Sequence, residues 1–298
     1  MSTDLSLPDR EYLDRAVELG RRGWGRAHPN PMVGCVLVHG QEVMGVGWHE
    51  EYGGPHAEVH ALRQAGRRAE GATAYVSLEP CNHFGRTPPC STALREAGVG
   101  RVVFGWEDPG KISGGGGDTL RRAGIEVLGP ALPMDQGRRE NPIFFHNAEH
   151  ESAYLALKLA QTLDGRIAEA PGKTTEITGP EARLEVHRLR AGYDGILVGS
   201  ETVVVDDPLL TVREAVPMRK PPARVVLDTR CRVSPSARLF RDAPEVAVVL
   251  FTREDASELA MEELEDAGAQ VHPVPGGPGG LSLDTVLDVC WETGILSL

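Results

Sequence analysis

No stretch of this chain approaches the roughly 18 consecutive apolar residues that a membrane-spanning helix needs. The N-terminus, MSTDLSLPDREYLDR, also lacks the basic-then-apolar pattern of a secretory signal. Both absences point to the cytoplasm and away from a membrane. Cysteine is scarce. Five in 298 residues are too few for a disulfide framework, and in a reducing compartment a clustered pair reads better as metal ligands. Basic residues are outnumbered, 31 Lys and Arg against 43 Asp and Glu, a net charge of −12. That balance argues against a nucleic acid as the main partner, which would need a local basic patch. There is no internal repeat.

What is present is an ordinary globular composition and length enough for about two domains, each burying its own core. In the first half, helical and strand patterns alternate. Residues 8–22 read as an amphipathic helix with Tyr12, Leu13, Ala16, Val17 and Leu19 on its apolar side. Residues 33–38 and 43–48, joined by a turn near Gly40, read as a hairpin. Helices are expected at 56–69, 90–97 and 119–123, and strands at 73–78, 101–104 and 125–128. The polar stretch 130–151, broken by Pro133, Gly137 and Pro142, reads as a connector. The domains are accordingly drawn at 1–148 and 149–298. The second begins with a strand-like run at 154–160, then a helix at 180–190, a buried strand at 195–199 and a loop through Asp206-Asp207-Pro208. Strands at 224–227 and 246–251, a helix at 255–267, a Pro/Gly loop at 273–280 and a helix at 284–292 follow. Residues 295–298 read as the start of a further strand.

Two short runs carry the chemistry: His56-Ala57-Glu58, and Pro80-Cys81 through to Cys90. One imidazole and two thiolates are three ligands, which leaves a tetrahedral zinc with its fourth position open. Glu58 is close to the His ligand without having to bind, so it suits proton transfer. Helix starts expected at His56 and Cys90 favour thiolate. Read singly, Cys81 and Cys90 would be small buried hydrophobes and His56 a capping residue. A closed structural site would need a fourth ligand. His-x-Glu followed by Pro-Cys-x-x-Cys is the zinc deaminase signature, but here eight residues lie between Cys81 and Cys90. Cys35, Cys231 and Cys290 read as core or surface residues.

With Asn30-Pro31-Met-Val-Gly34, Gly47-Trp-His49, Gly54-Pro-His-Ala-Glu-Val59 and Glu79-Pro-Cys-Asn-His-Phe-Gly-Arg-Thr-Pro-Pro-Cys90, the chain resembles the bifunctional riboflavin biosynthesis deaminase/reductases. The long cysteine spacer is that family's form. The resemblance implies a cytidine deaminase-like three-layer α/β/α domain. It also implies hydrolytic deamination of a diaminopyrimidinone carrying a ribosylamino 5-phosphate, with Zn2+ on His56, Cys81 and Cys90, Glu58 catalytic, and Asn30, His49 and His83 lining the substrate pocket. Arg86, Thr87 and Lys111 are candidate phosphate partners. One departure stands out: Asp108-Pro109-Gly110-Lys111 is a residue shorter than the family's Asp-Pro-Asn-Pro and runs into Gly114–Gly117, which reads as a flexible loop with phosphate-cradling as the alternative.

The second half resembles the family's reductase domain at 158–165 (KLAQTLDG), Ile177-Thr-Gly179, Arg190 and 199–213 (GSETVVVDDPLLTVR). This implies a dihydrofolate reductase-like α/β domain that reduces the deaminated intermediate with NADPH. By motif match, Ala160, Glu176, Thr202 and Asp206 would face the cofactor, and Thr174, Arg190, Leu210 and Arg213 the substrate. Glu176 stands where the family often has Trp. The chain ends before the family's Val-Glu-Gly-Gly segment, so the domain is expected to lack its C-terminal strands and reduction to be impaired. The partners expected are small pyrimidine ribosyl phosphates, and a homo-oligomer is allowed. Two competing readings are a nucleoside or tRNA deaminase fused to an accessory domain, and a non-catalytic zinc-stabilised binding protein.

Overall fold

The computed structural model describes residues 5–84, 88–213 and 216–298. It divides into two units, one ending at His150 and one beginning at Glu151.

In the first unit, α1 (Leu7–Gly20) is capped by the Ser6 hydroxyl, which accepts from the Asp9 amide, and Pro8 sits in its first turn where no amide is needed. It is followed by β1 (Gly34–His39), β2 (Glu42–Trp48), α2 (Ala57–Ala65), β3 (Thr73–Leu78), α3 (Cys90–Glu96), β4 (Arg101–Trp106), α4 (Gly116–Arg122), β5 (Glu126–Leu128), α5 (Met134–Glu140) and α6 (Pro142–His150). The five strands form one sheet in the order β2-β1-β3-β4-β5. β1 runs antiparallel to β2 and β3, while β3, β4 and β5 are parallel.

Side-chain alternation divides the core cleanly. Cys35, Leu37, Ala74, Val76, Val102 and Phe104 face Ala57, Ala61 and Ala65 of α2, Leu94 of α3 and Leu120 of α4. Val36, Val38, Tyr75 and Val103 face Leu13, Ala16 and Val17 of α1 and Phe145 of α6. The result is the expected α/β/α sandwich. At one end of the sheet a half-buried charge network closes it: Arg101 grips Asp9 through both oxygens, at 2.6 and 3.2 Å, and Tyr75 donates to Asp9 at 2.8 Å.

One expectation is corrected here. Residues 134–150 are not a connector but α5 and α6, and Phe145 is fully buried. The prolines that suggested a break are a helix cap (Pro133) and the first residue of a helix (Pro142), positions that tolerate the missing amide.

The second unit comprises α7 (Pro180–Ala191), β6 (Gly195–Gly199), α8 (Ser200–Asp206), β7 (Ala223–Leu227), β8 (Val248–Arg253), α9 (Glu258–Asp266), β9 (Ala269–Val274), the short hairpin β10 (Gly276–Gly277) and β11 (Gly280–Leu281), and α10 (Leu283–Glu292). Its main sheet is parallel, ordered β6-β7-β8-β9. Val225, Val249 and Phe251 face α10, and Val226, Val248 and Leu250 face α8 and α9.

Four readings differ here. The segment after β6 is helix α8 rather than a loop, and its helical turn ends at Asp207, where φ is 40°. The Pro/Gly loop begins later than expected, because β9 passes through Pro273 at the sheet edge, where a missing amide is harmless. β6 buries only Gly195, since it too lies at the edge of the sheet formed by the described residues. Finally, 154–160 pairs only at its start. Tyr154 bridges Ser297 in parallel, and Leu157 and Leu159 are exposed. Among the described residues no helix is long and apolar enough to cross a membrane.

Candidate active site

The parallel arrangement of β3 and β4 directs the chain after Leu78 out past the sheet, and three local structures converge there. His56 immediately precedes α2 in extended conformation, its side chain unused for capping. Cys81 follows the end of β3, and Cys90 opens α3. His56 Nδ1 lies 3.2 Å from Cys90 Sγ and 3.5 Å from Cys81 Sγ, and all three ligand atoms fall within 4.8 Å of one another. A tetrahedral zinc with bonds of about 2.3 Å to sulfur and 2.0–2.1 Å to nitrogen sets neighbouring ligand atoms roughly 3.5–3.8 Å apart. The spacing fits.

The charges fit as well. Hydrogen bonds from the Cys90 thiol, from His56 and from the Cys90 amide pull the Cys81 thiol far below its ordinary pKa. Cys90 moves the other way, raised by its hydrogen bond to Cys81, by burial and by Glu58. The helix start therefore favours the thiolate on Cys81, not on Cys90 as its place in the sequence suggested, because the first amide of α3 points at the other sulfur. Glu58 is 3% exposed, and burial raises its carboxyl pKa. Two thiols and a carboxyl confined together repel one another when ionised, which a divalent cation relieves.

His49 is 2% exposed, and its ring meets that of His56 edge-on at 5.3 Å. Its Nδ1 faces the Pro55 carbonyl at 3.1 Å, so that nitrogen carries the hydrogen. Nε2 then accepts from Asn30 Nδ2 at 3.0 Å. Burial lowers the His49 pKa, which agrees with this neutral form. Both ring nitrogens are thus engaged, and Asn30 is held by one of them. His83 has a buried Nδ1 with no partner among the described residues, the kind of polar atom that a ligand satisfies. Arg86 and Thr87 lie outside the described residues. Lys111 is exposed.

The glycine run is packed at the start of α4 rather than a free loop. Gly115 takes φ 84° as the cap of α4, and a Cβ on Gly116 would come 1.8 Å from the Pro80 carbonyl oxygen. The Gly117 amide donates to Glu79 Oε1 at 2.9 Å. The run lets α4 press directly on the loop that carries Cys81. Glu79, which sequence reasoning passed over, also reaches the Asp108 amide at 3.4 Å. Its only sequence signal is its place directly before Pro80-Cys81.

In the second unit, the Thr174 hydroxyl donates to Asp206. Arg190 Nη1 donates to the Thr211 carbonyl at 3.1 Å, and the Arg213 amide donates to His187 Nδ1 at 3.3 Å. Burial and the nearby Arg213 charge lower the Arg190 pKa, so two cations adjoin, an arrangement suited to a phosphate. Leu210 is buried with φ 49°, an uncommon conformation for leucine that marks the loop. Glu176 is exposed and pairs with Arg183 at 3.3 Å. Thr202 lies one helical turn before Asp206 on α8. Of the residues expected on the cofactor side, Thr202 and Asp206 offer a hydroxyl and a carboxylate, groups that ribose and carboxamide bind, so the donor set fits a nicotinamide dinucleotide.

Comparison with known proteins gives two family matches. The cytidine and deoxycytidylate deaminase zinc-binding region matches residues 7–106, and the RibD C-terminal domain matches residues 153–296. Riboflavin biosynthesis protein RibD of Aquifex aeolicus is 44% identical over 291 residues, covering 97% of this chain and 79% of that protein. Its Escherichia coli counterpart is 44% identical over 264 residues, covering 85% and 71%. Among solved structures, Acinetobacter baumannii RibD aligns with TM-score 0.82 at 37% identity. A diaminohydroxyphosphoribosylaminopyrimidine deaminase/5-amino-6-(5-phosphoribosylamino)uracil reductase from Thermotoga maritima aligns with TM-score 0.81 at 34% identity. Each structural alignment covers 97% of this chain and 79% of the other.

Proposed function

The chain belongs to the RibD family of riboflavin biosynthesis proteins, and from that membership we propose how its residues divide the work. The substrate of the first unit is 2,5-diamino-6-ribosylamino-4(3H)-pyrimidinone 5′-phosphate, deaminated hydrolytically. The second unit reduces the product, 5-amino-6-(5-phosphoribosylamino)uracil, to its ribityl form with NADPH, which the family matches support over the impaired reduction expected from the sequence. Both enzymes' substrates are small molecules, and the cytoplasm is the proposed location.

The observation that carries this reading is the convergence of His56, Cys81 and Cys90 beside the buried Glu58. Zinc held there supplies the Lewis acid that brings the pKa of water toward neutrality. Glu58 takes a proton from the attacking water and passes it to the ring nitrogen as the C–O bond forms. It then delivers the second proton to the amino group as the C–N bond breaks and ammonia leaves. Its raised pKa suits both directions of transfer. Asn30, fixed by His49, and His83, with its unsatisfied nitrogen, orient the pyrimidine.

In the second unit NADPH supplies the hydride. Arg190 and Arg213 hold the 5′-phosphate, with Leu210 against the substrate. Thr174, which donates to Asp206, places the sugar against the cofactor side, to which Ala160, Glu176, Thr202 and Asp206 belong.

The test is ammonia release from the diaminopyrimidinone phosphate. We expect turnover that a chelator abolishes and zinc restores, and none with cytidine. Turnover of cytidine or tRNA in its place would return the alternative reading, which the family matches disfavour.

A further inference from the structure

Both backbone groups of Met32 are bound by one side chain from the far end of the first unit. Asn141 Oδ1 accepts from the Met32 amide at 2.7 Å, and Asn141 Nδ2 donates to the Met32 carbonyl at 3.1 Å. An amide group paired this way has its oxygen and nitrogen assigned by the backbone it faces. Asn141 is 4% exposed and sits at the break between α5 and α6, with φ −128° and ψ 57°. Glu140, its neighbour, makes a two-pronged ion pair with Arg21 at 2.6 and 2.7 Å. The α5–α6 junction thus grips the chain on both sides of the loop that carries Asn30.

One residue separates the clamped Met32 from Asn30, and it is proline. Pro31 fixes its own φ near −65°. Between the Asn30 Cα and the clamped Met32 amide, the freely turning torsions are therefore ψ of Asn30 and ψ of Pro31. One residue beyond Met32 the Val33 carbonyl accepts from the His49 amide at 2.9 Å, and His49 itself accepts from the Asn30 side chain. His49 holds the loop at Asn30 and at Val33, and Asn141 holds Met32 between them.

We propose that Asn141 is a positioning residue for deamination: by binding Met32 it sets the backbone from which Asn30 reaches the substrate. This rests on the reading of Asn30 as a pocket residue. It also makes the α5–α6 segment part of the deaminase machinery rather than a tether.

The experiment is a double-mutant cycle in the full chain, using Asn30→Ala, Asn141→Ala and the pair, with deaminase kcat/KM as readout. Zinc content and hydrogen exchange of the peptide spanning residues 30–33 are measured alongside. Asn141→Ala is expected to keep its zinc, to expose the Met32 amide to exchange, and to lower kcat/KM by about 10-fold, mainly through KM. In the Asn30→Ala background the same change is expected to cost less than about twofold. An undiminished loss in that background overturns the positioning role while leaving Asn30 in the pocket. If Asn30→Ala alone has no effect, the pocket reading and the inference fall together. Should Asn141→Ala not fold, the near-isosteric Asn141→Asp retains an acceptor for the Met32 amide but loses the donor. It must show a KM increase that vanishes with Asn30→Ala, and a KM equal to wild type overturns the proposal.

Discussion

The backbone amide of Cys90 donates to the sulfur of Cys81 at 3.3 Å. One candidate zinc ligand is thereby prepared by the helix that the other begins, which favours the thiolate on Cys81. Cys90, with its pKa raised, still has a proton to lose on binding. Zinc affinity is therefore expected to rise with pH through the neutral range, with protons released on loading. Competition against a chelator of known affinity from pH 6 to 8 measures this, and a flat profile contradicts it.

Glu58→Gln removes the proton carrier and leaves the three ligands. We expect full zinc content with kcat lowered by about 10²–10⁴-fold. Ammonia release and metal analysis on the same preparation separate the two effects. Loss of zinc in this variant would make Glu58 a ligand rather than a base.

Asp9 is a stability group. Its hydrogen bonds with Arg101 hold its pKa down to about 2 in the folded chain, against roughly 3.9 when unfolded. A depressed carboxyl stabilises above the unfolded value and loses that contribution as pH falls through the folded one. Its worth at neutral pH is about 2 kcal/mol. Asp9→Asn should cost that much at pH 7 and almost nothing near pH 2, as read by urea unfolding at each pH.

Gly116 and Gly115 should respond differently to alanine. Gly116→Ala drives a methyl into the Pro80 carbonyl and is expected to cost about 1–3 kcal/mol and to weaken zinc binding. Gly115 faces open space but has φ 84°, so Gly115→Ala should cost about 1 kcal/mol with zinc affinity unchanged. Equal effects on zinc would mean that the close approach of α4 does not support the Cys81 loop.

The strands of the first sheet were legible because their side chains alternate between two buried faces. Residues 73–78 came out end to end as β3. Helices α5 and α6 were not, because Pro133, Gly137 and Pro142 look like breakers until their places at helix ends, or against Trp106, are known. β9 was hidden by Pro273, which only an edge strand admits. At the site, His56, Glu58, Cys81 and Cys90 announce themselves by residue type. Glu79 and Asn141 do not, since a carboxylate or amide that binds backbone has no fixed spacing. Asn141 is 109 residues from Met32 in sequence, so only the folded chain brings them together.

That separation also sets an order of events during synthesis. By the time Cys90 has left the ribosome all three metal ligands exist, whereas the partner of Met32 emerges some fifty residues later. At a translation rate of about 5–20 residues per second, the nascent chain spends several seconds with all three candidate ligands synthesised and Met32 still without its partner.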